Sequence, residues 1–435
     1  MPQKASNQTS VILSAASLGT RERFVRGVSC AKDLLRTTIQ SPRSRVPHVS
    51  LLTHGRIFLP LALLSLTACR PHDFPQYDPA YREYAYVTNG GSGTVSVYDV
   101  VNVRVDREIP VGQNPTAVVA NPARNEIYVV NTGTPGGQGS VAVINAEHNA
   151  VAGTIPVRKL PVAIALDPRG DLAYVVNSGS NSVSVIDLKA HREIALIGVG
   201  EDPAAVRVSP DGKTLVVANR GGHSVSIIDT ATRKLRTVVV GCPGATDVVI
   251  LPDSSKTFAA CSGGHQVMAI QLAHEARSDG RPATTDRLES LLDVGRAPVQ
   301  LALKPDGGEL FVSNSLSNSI SEVVTSTDDV GGAYLMGADP VRGLVSADNA
   351  LLYVGNLHSQ EVTVYSVDDG KRVGSIHVGD GPSALAFSSA GHLLFVVDSS
   401  SGDVAVVRTK NRQMFTMLPA GRGPNAIAVK AFKAS

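Results

Sequence analysis

Two histidines stand in matching phrases: His223 in "RGGHSV" and His265 in "SGGHQV". A pair placed this way could ligate a metal or a haem iron. His358, in "NLHSQ", lies near the matching loop of a third unit. Loop histidines are more often simply solvated, and no carboxylate stands at matched spacing to complete a metal set. A second group is polar: Asp247, Gln300 and Arg342 replace an alanine found in sister segments, and Arg207 sits one step along from another. Polar groups at such places need partners or water. They either solvate a wet channel or form a site for a small anion or polar ligand. A third group is Cys242 and Cys261. The phosphate-cradling Gly loop, the G-x-S-x-G elbow, His-Glu-x-x-His and a zinc-spaced Cys pair are all missing from the sequence. No catalytic residue and no metal site is assigned.

The segments that must position these residues form a repeat. Phrases of the type "YVTNGGSGTVSVYD", "YVVNSGSNSVSVID" and "YVGNLHSQEVTVYS" start at Tyr86, Tyr128, Tyr174, Val216, Phe258, Phe311, Tyr353 and Phe395. Five of the seven intervals are 42 residues, and the others are 46 and 53. Thr134–Gly137 accounts for the first excess, and a polar insertion around Ala276–Glu289 for the second. Each unit holds four β-type runs bounded by Gly, Asn, Asp, Pro and Ser. In the third unit these are "PVAIALDP", "LAYVVN", "VSVID" and "REIALIGVG", strands a to d. A period in the low forties with four strands per unit predicts a β-propeller. The fold class is thus all-β: one propeller of four-stranded antiparallel blades, eight by count, with seven as the alternative. The chain enters on a strand b, "YAYVTN", and ends on a strand a, "PNAIAVKAF". The last strand should therefore complete the first blade and remove its free edge.

With strand a innermost, the d–a and b–c loops share a top rim, where His223, His265 and His358 fall. Strand a carries a bulky set (Val118, Ile164, Val206, Val248, Leu301, Leu385, Ile427), expected to wedge between blades. Its neighbouring set is mostly Ala (Ala117, Ala163, Ala205, Ala384, Ala426), expected where strands crowd the axis. Strand b ends in Asn at 89, 131, 177, 219, 314 and 356, with Asp398 and Cys261 in the two remaining units. Asn bonds its own backbone two residues on, so it reads as a turn-former rather than a ring of ligands. Cys242 precedes strand a and Cys261 ends strand b of one blade. In simple register Cys261 faces Thr246, four residues from Cys242. A disulfide then needs the d–a loop to fold back, and two separate buried thiols are the other reading.

"YVTN", "YVVN" and "SVSVID", with "GxxP" before strand a and "SPDGK" at Ser209–Lys213, resemble the YVTN-type, YncE-like β-propeller repeat family over residues 84–432. The resemblance implies an exported binding protein more often than an enzyme. It also implies closeness in fold to lactonase-like propellers and to d1-haem domains.

The chain has 435 residues and a formal net charge of +2, which supplies no broad field for nucleic acid. Aromatics make up 4% and Trp is absent, which counts against stacked sugar or quinone sites. Arg56 precedes an apolar run, Ile57–Leu66, closed by Thr67-Ala68-Cys69. The run is too short to span a membrane and fits a secretory signal. Its ending resembles the bacterial lipoprotein motif, in which the Cys is acylated. The organisation read from the sequence is a doubtful extension at 1–50, a signal peptide at 51–68, a linker at 69–83 and the propeller at 84–435. Cys69 would be lipidated, anchoring a monomer to the periplasmic side of a membrane or to the cell surface. An oxidising compartment would also favour the Cys242–Cys261 bridge. The expected function is non-enzymatic binding of a protein or small ligand at the top rim or channel mouth, without a cofactor. The alternative is d1-haem handling or lactone hydrolysis, supported by His223, His265, Arg207 and Asp247.

Overall fold

A computed structural model describes residues 75–273 and 284–434. The extension, the signal segment, Cys69, the first part of the linker and most of the polar insertion lie outside these residues. The remainder forms eight four-stranded antiparallel sheets arranged as one propeller. Blade 1 is made from both chain ends, and blades 2 to 8 follow in sequence order. In the third unit the four strands are Pro161–Leu166, Leu172–Asn177, Ser182–Asp187 and Arg192–Gly198. Each inner strand neighbours the inner strands of the blades before and after, so the ring closes on itself.

Ring closure is made by Pro424–Lys433, which pairs antiparallel with Tyr81–Asn89. Val87 lies opposite Ile427 and Ala85 opposite Val429 in this pairing. Blade 1 therefore has no unpaired strand b edge, which is the liability a ring must remove.

The core is not one mass. It is eight apolar clusters among the described residues, each filling the wedge between two consecutive blades. The first residue of the repeated phrase anchors each wedge. Tyr86, Tyr128, Tyr174, Phe258, Phe311, Tyr353 and Phe395 are essentially fully buried there, and the smaller Val216 fills the wedge between blades 4 and 5. This explains why strands b and c read as nearly continuous apolar runs. Their sheets are covered on both faces, so the usual one-sided alternation disappears.

The inner strands correct one expectation. Ala117 and Val119 pack into the wedge between blades 2 and 3, while Val118 and Ala120 pack into the wedge between blades 1 and 2. Both sets of side chains thus point at neighbouring blades. The channel is lined by the strand edge, with its unpaired backbone groups, rather than by one face. A second correction is a β-bulge in every inner strand, at its second residue; in blade 5 this is Thr246, between Ala245 and Asp247. A bulge leaves one residue unpaired and shifts the register by one. Cys261 consequently faces Ala245, not Thr246.

Candidate functional site

The top rim is held by a contact that recurs in six of the eight blades. The Asn ending strand b is buried, and its amide donates to hydroxyls on strand c. Asn89 reaches Ser96 Oγ at 2.9 Å, Asn177 reaches Ser184 Oγ at 3.0 Å and Asn219 reaches Ser226 Oγ at 2.9 Å. Asn314 and Asn356 repeat this with Ser321 and Thr363. The expected side-chain bond to its own turn is not the rule. The side chain instead fixes strand c and packs against the d–a loop that precedes its blade. A β-carbon on Gly200 would fall 2.6 Å from Asn219 Cγ, so that loop position must stay bare. At Gly112, beside Asn131, φ is also +149°, which favours glycine in its own right.

Blade 5 fills the same place with sulfur. Cys242 stands where six of the other seven loops carry Gly (Arg158 in blade 3), and Cys261 where six of the other strands carry Asn and one carries Asp398. The two are joined in a disulfide with Cα atoms 4.8 Å apart. The pair is separated by 19 residues, the same spacing as Gly200 and Asn219. The loop needs no special folding back: it already lies against the end of strand b in every blade, and the bulge takes up the extra residue.

Blade 8 offers a third chemistry. Asp398 replaces Asn and accepts from Gly379 N–H at 3.0 Å. Burial and the nearby Asp403 carboxylate push its pKa up to about 8. Protonated, it can donate as the amides do.

His223 and His265 take up a related role. Both adopt positive φ just before strand c, as Asn181 and Asn318 do in their blades. His223 Nδ1 accepts from Gly244 N–H at 3.1 Å, and His265 Nδ1 accepts from Ala297 N–H at 3.3 Å. Asn181 and Asn318 accept from Asp202 and Asp339 N–H in the same way. A neutral imidazole accepting at Nδ1 carries its proton on Nε2. In each ring Nδ1 is thus engaged by a backbone amide of the rim. His358 pairs with Asp339 at 3.0 Å and is largely exposed. Among the described residues no cluster of three or more His, Cys, Asp or Glu is poised to hold a metal.

The four polar inner-strand residues come together at the upper part of the channel. Asp247, Gln300 and Arg342 sit at the same level in blades 5, 6 and 7, and Arg207 sits one pleat deeper in blade 4. Asp247 and Gln300 are buried. Asp247 Oδ2 accepts from Leu301 N–H at 3.1 Å, and Gln300 Oε1 accepts from Gly343 N–H at 2.7 Å. Each thereby satisfies an edge amide of the next inner strand. Asp247 Oδ1 also meets Arg207 Nη2 at 3.4 Å. Arg342 is largely buried, with its Nε enclosed by protein. Burial lowers its pKa, while Asp247 opposes that effect and Arg207 adds to it.

A family model for YNCE-like beta-propellers matches residues 140–432. The chain belongs to this family. No curated protein matches it in a sequence comparison. Among solved structures, the hydrazine synthase of Kuenenia stuttgartiensis is 23% identical with a TM-score of 0.52, covering 68% of this chain and 95% of that chain. A functionally unknown protein from Desulfotomaculum acetoxidans is 15% identical with a TM-score of 0.54, covering 80% and 98%. The dihydro-heme d1 dehydrogenase NirN, in complex with DHE, is 15% identical with a TM-score of 0.62, covering 81% and 76%. At these identities the likeness is one of fold.

In this YncE-like propeller the candidates read from the sequence thus separate into two kinds. Arg207, Asp247, Gln300 and Arg342 share one place at the channel. His223, His265 and His358 are dispersed along the rim, each tied to a different loop. Sequence reasoning missed the loop glycines as partners of the Asn series. Their signal was available as the 19-residue spacing between "G" of the d–a loop and "N" of strand b in four blades: Gly112 and Asn131, Gly200 and Asn219, Gly295 and Asn314, Gly337 and Asn356.

Proposed function

We propose that this is an exported, lipid-anchored propeller that binds a small ligand or a protein partner at the mouth of its channel, without catalysing a reaction. The observation that carries the reading is the one-sided polar cluster at that mouth. Arg207, Asp247, Gln300 and Arg342 occupy four consecutive blades, while Ala117, Ala163, Ala384 and Ala426 stand at the level of Asp247 in the other four. Charged groups are rarely left inside a fold without a task or a partner. Export is supported by the signal-like run ending at Cys69 and by the disulfide, which suits an oxidising compartment.

The described chain enters the propeller at its bottom rim, through Tyr81–Asn89. There Tyr77 stacks on Tyr81 with ring centroids 4.7 Å apart and meets His392 Nε2 at 3.2 Å. The channel mouth lies at the opposite rim, free for a ligand or partner. Fractionation tests the anchor: wild type should sediment with membranes, and Cys69→Ser should become soluble, because acyl chains supply the attachment. A Ser variant that stays with the membranes contradicts the anchor. Co-purification from native envelopes tests the binding: a ligand or partner retained by wild type should be lost when the channel-mouth arginines are replaced.

A d1-haem role is the second reading, favoured by the fold likeness to NirN in its complex. The engagement of His223 and His265 Nδ1 by backbone amides of the rim argues against it. A visible absorption band in the purified protein would reverse that judgement.

A further inference from the structure

We propose that the channel mouth binds a small organic monoanion through its carboxylate, with Arg342 as the primary contact and Arg207 behind it. This rests on the channel-mouth reading above and names the ligand class.

The argument starts from the inner strand edges. Strand a pairs with strand b on one side only, so its other edge presents unpaired N–H groups to the channel. Asp247 and Gln300 each bring an acceptor to such an amide in the following blade, at Leu301 and Gly343. Arg342 occupies the next equivalent place, and the amide that follows it in blade 8 is that of Leu385. A guanidinium has no acceptor, so donor faces donor and the pattern breaks. The buried Nε–H of Arg342 is left without a hydrogen-bond partner among the described residues.

Charge leads to the same place. Arg342 lies within electrostatic range of Asp247 and Arg207, which belong to inner strands two and three blades away. Asp247 is already engaged by Arg207, by Val248 N–H and by Leu301 N–H. Two guanidinium charges against one carboxylate leave a net charge of +1 at the mouth. A monoanion would balance it and would accept from the orphaned donor. The planar guanidinium fork matches a carboxylate's two oxygens.

Calorimetric titration and thermal unfolding of the purified, disulfide-intact protein test the idea. The probes are acetate, propionate and butyrate, with chloride holding ionic strength constant and phosphate as a separate arm. Saturable carboxylate binding with a raised melting temperature is expected. Arg342→Met should weaken binding at least tenfold while unfolding cooperatively. If that variant fails to fold, Arg342→Lys keeps the charge but not the fork and should also bind several-fold more weakly. Carboxylates that act no differently from chloride, or an affinity unchanged in both variants, would overturn the proposal. Phosphate binding as tightly as propionate would overturn the organic-carboxylate assignment. A protein that ignores every carboxylate but still retains a partner dependent on the mouth arginines would defeat this inference alone and leave the channel-mouth reading standing.

Discussion

Blades 5 and 8 join the same two pieces of backbone that the other six blades join, but with different atoms. In six blades an Asn side chain lies against the d–a loop, which is a bare glycine in every case except Arg158 of blade 3. In blade 8 a carboxyl group takes the Asn place, and in blade 5 a disulfide replaces both partners. The backbone geometry is therefore primary and the side-chain chemistry secondary. The join brings strand b, strand c and the incoming loop to one point on the top rim, and any compact group that holds them serves. Amide, carboxyl and disulfide differ in what they respond to: the amide to neither pH nor redox state, the carboxyl to pH, the disulfide to reductant.

Blade 1 is where breaking the join should do most damage. Its Asn89 packs against Gly421, from the far end of the chain, just before the strand that closes the ring. Deleting residues from Pro424 onward would strip an inner strand, expose the edge of Tyr81–Asn89 and unpack two wedges. Burial of a single large apolar side chain contributes about 1.5–3 kcal/mol, and a domain's net stability is only about 5–15 kcal/mol. The truncated protein should lose cooperative unfolding and aggregate, as seen by circular dichroism and size exclusion. An unchanged melting curve would show that closure by this strand contributes little.

Blade 8 gives a pH-dependent version of the comparison. The pKa of Asp398 in the folded protein, about 8, lies above its ordinary value of 3.8. The folded state holds a proton that the unfolded chain releases. Its contribution is fully present below about pH 4 and is lost as pH rises towards 8. Asp398→Asn supplies the donor without a proton, so it should stabilise the protein by on the order of 2 kcal/mol at pH 8 and by almost nothing near pH 4. Denaturant melts at the two pH values measure the difference. A variant no more stable at pH 8 than wild type would mean that Asp398 is not strained by its burial.

A smaller effect is expected at the rim histidines. His223→Ala removes the acceptor for Gly244 N–H and places Ala at positive φ, costing about 1 kcal/mol. His223→Asn restores the residue that Asn181 and Asn318 provide and should match or exceed wild type. If the Asn variant is as unstable as the Ala variant, the ring serves some purpose other than accepting that bond.

The architecture was legible because it is written in the repeat period and in the repeated aromatic that anchors each wedge. Eight strand-b phrases and the unfinished strands at the two ends give the blade count and the closure. The inner strands were harder to read. A bulge leaves no mark on composition, so the register at Cys261 came out one residue off. The side-chain alternation was also assigned to the axis, when both faces in fact meet neighbouring blades. The polar quartet could be picked out by contrast with Ala, but not which of its members were already satisfied. That depends on the edge amides of Leu301 and Gly343, whose freedom is a property of the sheet and not of any residue type. The Asn series was visible as a pattern, yet its partner was hidden in a loop that a turn-centred reading did not consult.

The interchangeability of these joins is tested most directly by rewriting blade 5 in the chemistry of its neighbours. The double variant Cys242→Gly/Cys261→Asn should fold, unfold cooperatively and become indifferent to reductant. Its stability should fall by at most about 3 kcal/mol, the loop-closure contribution expected of a crosslink spanning this many residues. Cys242→Ala/Cys261→Ala, which supplies neither bridge nor amide, should be less stable still. A Gly/Asn protein that fails to fold, or is no more stable than the double alanine, would contradict the claim that one backbone geometry underlies all eight blades.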